Sequence, residues 1–96
     1  MAGSNDDDAS RWERDEQVLW RSGPGFVVLL CPRSATPVLL RGTGVELWAA
    51  FDRPRSVPEI AARLSMAFGA EYEPVRSDVA PVVARLAETG ALRPVP

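Results

Sequence analysis

Apolar residues in the first half of the chain group into three short segments, each bounded by turn-forming residues. The segments cover residues 17–21, 26–31 and 38–40, and the middle one is an uninterrupted apolar run. Short segments that contain β-branched residues and end at Gly or Pro are typical of strands. Because strands this close in sequence pair with their neighbours, the pattern predicts a three-stranded antiparallel sheet. A sheet of this size needs another layer packed on one of its faces.

A helical period replaces this pattern at residues 43–52. Leu47 and Phe51 lie four positions apart, so they share one face of a short helix. Thr43 and Glu46 have the spacing of a capping box, in which the two side chains satisfy backbone amides at a helix start. We therefore expect the first helix to begin at Thr43.

A second helix is predicted directly behind the first. Ser56 and Glu59 have the spacing of another capping box, and Pro58 suits a first helical turn. Gly69 is placed to end this helix in a left-handed conformation. The core-facing residues repeat every fourth position: Ile60, Leu64 and Phe68.

The third helix is expected between Pro74 and Gly90. Its apolar face is formed by residues at helical spacing, namely Val75, Val79, Val82, Val83 and Leu86. Pro81 either lies in the interior and kinks the helix or, if the helix starts at Ser77, lies near its first turn. We expect one kinked helix. The order of three strands and three helices predicts an α+β domain of winged-helix type, in which a three-stranded antiparallel sheet is followed by three helices.

The chain ends set the predicted domain boundaries. Residues 1–16 are acidic, with Trp12 as their single large apolar residue, so we expect a disordered tail. The alternative is that Trp12 packs back on the domain or contacts a partner. Residues 17–93 form the expected folded domain, and residues 94–96 an expected frayed end. No apolar run approaches the roughly 20 residues that span a bilayer, and residues 1–8 lack the pattern of a signal peptide. A cytoplasmic location without a membrane partner is expected.

Composition narrows the possible chemistry. The chain has one cysteine, Cys31, and no histidine. One thiol excludes an internal disulfide and a multi-thiolate metal site, and the lack of His removes the commonest general base. The net charge of −2 provides no basic surplus for binding phosphates. We therefore expect no metal, no cofactor, no nucleic-acid partner and no catalytic activity.

Three segments of the sequence resemble one known family. Residues 37–48, which run from a strand through a small-residue turn into a helix with a Trp, are similar to the signature of the PqqD-like family. Residues 53–64 resemble the second helix of that family. Ser77, Asp78 and Val79, together with Leu86 and residues 90–92, are similar to its closing helix. The resemblance covers about residues 17–93.

This resemblance implies a function in peptide recognition. Members of the PqqD-like family are small non-catalytic winged-helix domains that bind the leader segment of a ribosomally synthesised precursor peptide. They present it to a separately encoded modifying enzyme, such as a radical S-adenosylmethionine enzyme, a cyclase or a leader peptidase. In the family, the leader adds a strand beside the third strand and lies against the third helix.

Carried over to this sequence, the resemblance and the residue pattern predict a peptide-binding groove. The third strand supplies a short edge with free backbone groups, which strand addition requires. The expected site residues lie on that strand and on the third helix: Val38, Leu39, Leu40, Arg41, Asp78, Val82, Arg85, Leu86 and Thr89. Asp78 and Arg85 could alternatively be a helix-dipole complement and a solvated surface residue.

Two other functions remain open at this point. A winged-helix DNA-binding regulator would place the third helix in the major groove, which needs basic residues along that helix. Only Arg76 and Arg85 are available there, beside Asp78 and Glu88. Alternatively, the apolar groove could be the interface of a homodimer.

Overall fold

A computed structural model describes residues 10–96 of the chain. The described part is a mixed α/β domain with three helices, as the sequence predicts. Its elements in chain order are β1 (Arg11–Arg14), β2 (Leu19–Gly23), β3 (Phe26–Leu30), β4 (Val38–Arg41), α1 (Thr43–Ala50), β5 (Arg55–Ser56), α2 (Val57–Phe68), α3 (Tyr72–Glu88) and β6 (Leu92–Pro94).

The strands form two three-stranded sheets, whereas the sequence led us to expect one. One sheet has the order β2-β3-β4, is antiparallel throughout, and contains the three predicted strands. At its centre, Val28 of β3 faces Arg21 of β2 on one side and Leu39 of β4 on the other.

The second sheet joins distant parts of the chain in the order β5-β1-β6. Trp12 in the central strand faces both Arg55 and Pro94. Beyond the last strand, the N–H of Val95 donates to the carbonyl oxygen of Arg11 at 2.9 Å. The expected tail and frayed end therefore need correction at residues 11–14 and 94–95, because pairing with each other orders both segments. The expectation of a disordered tail over residues 1–9 lies outside the described residues.

Helix α1 begins at Thr43 as expected, but only one of the two predicted capping boxes forms. At α2, Ser56 and Glu59 form the predicted capping box, with the Glu59 N–H 3.2 Å from the Ser56 Oγ and the Ser56 N–H 2.9 Å from the Glu59 Oε1. The capping box expected at Thr43 is wrong. Gly42 is the N-cap of α1 and no side chain caps this end, because the chain turns at Gly42 with a φ of 56°.

The third helix is continuous from Tyr72 to Glu88 and contains Pro81 in its interior. It begins two residues before Pro74, which is tolerated in a first turn because amides there have no intrahelical acceptor. The ring nitrogen of Pro81 cannot donate to the carbonyl of Ser77, so one helical hydrogen bond is missing at mid-helix.

The hydrophobic core lies between the helices and one face of the β2-β3-β4 sheet. Val27 and Leu29 point into it from β3, where they are 2% and 0% exposed. Trp48 and Phe51 from the region of α1, and Ile60 from α2, are buried beside them. The helices cover the inner face of this sheet, and its outer face remains exposed.

Candidate functional site

A groove of about 430 Å³ lies between β4 and α3. β4 pairs with β3 along one edge, and no strand within residues 10–96 pairs with its other edge. The predicted site residues that line the groove come from both elements: Val38, Leu39, Leu40, Arg41, Val82, Arg85 and Leu86. The structure thus brings together seven of the nine residues that the sequence indicates.

The inner part of the groove is apolar. Leu40 and Leu86 are 8% and 1% exposed, so they join the groove to the core. Val38 and Val82 are half-buried on its two sides and pack against the same core. A ligand side chain that enters here would exchange water for aliphatic contacts, which favours binding of an apolar residue.

The rim of the groove carries two arginines. Arg41 ends β4 and Arg85 lies in the last turns of α3, and both are exposed. Neither guanidinium has an ion pair or a hydrogen bond to another of the described residues. Both remain available for a carboxylate of a ligand, since Arg can bind a carboxylate through two parallel hydrogen bonds.

The remaining two predicted residues lie at opposite ends of this region. Asp78 lines a small neighbouring cavity of about 60 Å³, which shares Val82 with the groove. Thr89 ends α3 instead of lining the groove. Its hydroxyl donates to the carbonyl oxygen of Leu86 at 2.9 Å, and its carbonyl oxygen accepts from the N–H of Arg33 at 3.0 Å.

Four lining residues were not identified from the sequence: Pro37, Thr43, Gly44 and Pro81. Pro81 also lines a second depression on the other flank of α3, next to Trp12. Pro81 could have been singled out from the sequence as unusual. A proline inside a helix leaves one backbone carbonyl without its hydrogen-bond donor, so it is tolerated only at certain positions. Nothing in the sequence indicates which neighbour Pro81 faces.

The sequence-family model of coenzyme PQQ synthesis protein D (PqqD) matches residues 27–92 of this chain. The chain belongs to the PqqD family. The match begins in β3 and includes β4, all three helices and the start of β6, so it contains both walls of the groove.

A solved structure shares this PqqD fold. The solution NMR structure of the PqqD truncation of Methylobacterium extorquens PqqCD is 23% identical to this chain, with a TM-score of 0.72. The similarity covers 90% of this chain and 92% of the other. That protein is described as a functional, stand-alone recognition element for ribosomally synthesised and post-translationally modified peptides. No curated protein sequence matches this chain significantly.

Within residues 10–96, no three His, Cys, Asp or Glu side chains are grouped so that they could hold a metal ion. Cys31 is a buried free thiol. None of the helices in that range is both long and apolar enough to cross a membrane. Along α3, the arginines Arg76 and Arg85 alternate with acidic residues. These acidic residues are Glu73, Asp78 and Glu88.

Proposed function

We propose that this chain binds the leader segment of a ribosomally synthesised precursor peptide. The leader adds a strand to the free edge of β4, packs against α3, and is held there for a separately encoded modifying enzyme. That enzyme is of the radical S-adenosylmethionine, cyclase or leader-peptidase type. Membership of the PqqD family and the recognition role of the M. extorquens protein support this proposal. The observation that carries it is the unpaired edge of β4 directly beside an apolar groove.

Backbone pairing supplies the part of the binding energy that does not depend on sequence. An edge strand presents N–H and C=O groups that an extended peptide can pair with. β4 has four residues, which is enough for a short ladder. A peptide bound in this way is fixed in register, so its alternate side chains face α3 at fixed positions.

Side-chain contacts supply the selectivity. An apolar residue of the leader fits the inner part of the groove, over Leu40 and between Val38 and Val82. Acidic residues on either side of that anchor pair with Arg41 and Arg85 at the rim. A leader that joins an aliphatic residue to neighbouring Asp or Glu residues is therefore the expected ligand. Asp78 lies next to this groove and disfavours further acidic residues at its own end.

In this proposal the chain raises the local concentration of the precursor peptide near the enzyme and does not itself catalyse the reaction. A leader held at β4 keeps the attached core peptide close to the enzyme, which raises the effective concentration of the substrate. No residue of the groove needs to take part in the chemical step, which belongs to the partner enzyme.

A calorimetric titration with the leader peptide of the precursor encoded beside this chain's gene tests the proposal. We expect saturable binding with one peptide per chain, no binding of a scrambled leader, and weaker binding by a Val82→Asp variant. Ala62→Asp is the matched control, because Ala62 lies on the exposed side of α2. A folded protein that ignores the leader at all concentrations would contradict the proposal.

A further inference from the structure

The outer face of the β2-β3-β4 sheet is an exposed apolar surface. In β3, Val27 and Leu29 point to the core, and the alternate residues point outward. Residues that share this outward direction in the three strands include five apolar ones: Leu19, Phe26, Val28, Leu30 and Leu39. Leu19, Leu30 and Leu39 are 65%, 50% and 49% exposed. We call this surface the outer face.

Strand register makes the outer face continuous. Leu19 lies opposite Leu30, and Val28 lies opposite Leu39, so the apolar side chains of adjacent strands are neighbours. A depression of about 740 Å³ lies over β2 and β3 and is lined by Leu19, Phe26 and Leu30 among others. Contiguous apolar surface of this kind usually marks an interaction site, since isolated exposed residues are the normal case.

Phe26 places an aromatic ring on the outer face, over the backbone of β2. A Cβ atom at Gly23, the residue opposite Phe26, would be 2.4 Å from the phenyl ring. The ring therefore lies across Gly23, where any side chain would displace it. An exposed aromatic ring that lies over a glycine offers a partner a large apolar contact area.

The charges on the outer face have a single sign. Arg21 lies opposite Val28, and Arg41 lies opposite Phe26, so both arginines belong to this face. The strands β2, β3 and β4 contain no Asp or Glu. Neither arginine has an ion pair with another of the residues 10–96. An occupant of opposite charge is therefore favoured.

Two occupants from this chain itself fit less well. Residues 1–9 contain Asp6, Asp7 and Asp8 but no aromatic or branched aliphatic residue, so they cannot cover five aliphatic and aromatic side chains. A second copy would bring the same two arginines from each chain to one interface without a carboxylate on the facing strands. Like charges that face each other at an interface are unfavourable.

We propose that the outer face is the docking surface for the modifying enzyme, through an apolar patch of that enzyme rimmed by Asp and Glu. The assignment of this partner rests on the proposed function of the β4 groove. A leader strand added to β4 would widen the same sheet by one strand, so an enzyme on the outer face would contact the bound leader as well. The leader and the enzyme thus occupy adjoining surfaces that share only Leu39 and Arg41 of β4.

Substitutions far from β4 separate the two surfaces. Leu30→Glu and Arg21→Glu change the outer face on β3 and β2, away from the groove. Met66→Glu and Arg63→Glu are the matched controls, because both residues are exposed on α2 and Met66 is 83% exposed. The probes are the purified modifying enzyme encoded beside this chain's gene and, in a parallel titration, the leader peptide.

We expect Leu30→Glu and Arg21→Glu each to weaken enzyme binding by about tenfold or more while the leader affinity stays within about twofold. The two control variants should bind both probes like the wild type. Equal enzyme affinity in all five proteins, or no enzyme binding by the wild type with or without leader, would overturn the docking surface. If the wild type does not bind the leader peptide, the proposed function itself is wrong. Sedimentation that shows a dimer abolished by Leu30→Glu would assign the face to a second copy and also overturn the proposal.

Discussion

The guanidinium of Arg14 lies over the indole of Trp48, with its central carbon 4.8 Å from the ring centroid. The Nη2 of Arg14 also donates to the carbonyl oxygen of Trp48 at 2.5 Å. A second indole, that of Trp20, lies 4.9 Å from the same guanidinium and meets Trp48 edge-on. Because Arg14 is in β1, Trp20 in β2 and Trp48 in α1, this cluster joins the two sheets to the first helix.

Arg14→Ala should lower the free energy of unfolding by about 2 kcal/mol, because it removes a partly buried hydrogen bond and two cation–π contacts. Burial lowers the pKa of Arg14, and the charge of Asp52 opposes that effect. Chemical denaturation followed by Trp fluorescence measures the change. Arg53→Ala is the control, since Arg53 is exposed, and should change stability by less than about 0.5 kcal/mol. A variant at Arg14 as stable as the wild type would show that the cluster does not join the sheets.

The capping box of α2 predicts a pH-dependent contribution to stability. The backbone N–H of Ser56 lowers the pKa of Glu59 below its ordinary value of 4.5, partial burial opposes this, and Arg11 at 3.3 Å adds to the lowering. A carboxyl whose folded-state pKa is lowered stabilises the fold fully above its unfolded-state pKa. That contribution is lost as the pH falls through the folded-state pKa.

Glu59→Gln should therefore destabilise the protein at pH 7 and much less at pH 3. Urea denaturation of both proteins at the two pH values measures this difference. Ser56→Ala should cost about 1 kcal/mol at pH 7, because it removes the cap itself. A Glu59→Gln effect of the same size at both pH values would contradict the ionic origin of the contribution.

Substitution of glycine by alanine should have opposite effects on stability at Gly42 and at Gly44. Gly42 joins β4 to α1 with a φ of 56° and a ψ of −128°, which residues with a side chain rarely adopt, so Gly42→Ala should cost about 1–3 kcal/mol. Gly44 lies inside α1, where a Cβ would make an ordinary contact with Leu40 at 3.4 Å. Gly44→Ala should raise stability by up to about 1 kcal/mol, as helix propensity predicts. Thermal unfolding of the two variants tests the pair, and equal effects would be inconsistent with this account of the turn.

Arg85→Glu should weaken leader binding by about tenfold or more, because it reverses a charge at the rim of the groove. Its effect on the fold should be small, since the guanidinium is exposed and contributes only a helix-dipole interaction of about 0.5 kcal/mol. Calorimetry gives the affinity, and circular dichroism checks the fold. Arg63→Glu on α2 is the matched charge reversal and should bind the leader normally. Identical affinities for the two variants would remove Arg85 from the site.

Local patterns predicted the helices well because their signals lie within a few residues. The capping box at Ser56 and the left-handed Gly69 both occur as expected. The similar signal at Thr43 failed because Gly42, one residue earlier, turns the chain and takes the cap position. The motif thus located the start of α1 but not its cap, because a glycine with positive φ precedes it.

The second sheet could not be predicted from the sequence. β1, β5 and β6 have four, two and three residues, which is too short for an alternating pattern. They are held by pairing between distant segments: Trp12 faces Arg55 and Pro94. All five residues of β3 are apolar, although one face of the strand is buried and the other is exposed. Hydropathy alone could not show which face of the strand another layer covers.

The two walls of the groove were predictable because the residue pattern located a third strand and a third helix, and the family resemblance implied that the leader lies between them. Periodicity alone placed Val82 and Leu86 on the same face of the helix, but it did not place them against Leu40. Thr89 was included for its position in the helical repeat, whereas the last turn directs its hydroxyl to the carbonyl of Leu86. Contacts between elements thus depended on the tertiary arrangement.

An amide-shift titration of isotopically labelled protein with the leader peptide tests the central claim most directly. Strand addition predicts shifts concentrated on residues 38–41, where new backbone hydrogen bonds form, and on residues 78–86 of α3 that face the added strand. Amides of the exposed part of α2 near Met66 should not move. Shifts confined to the depression beside Trp12 on the other flank of α3, or no shifts in a folded protein, would contradict binding of the leader at the edge of β4.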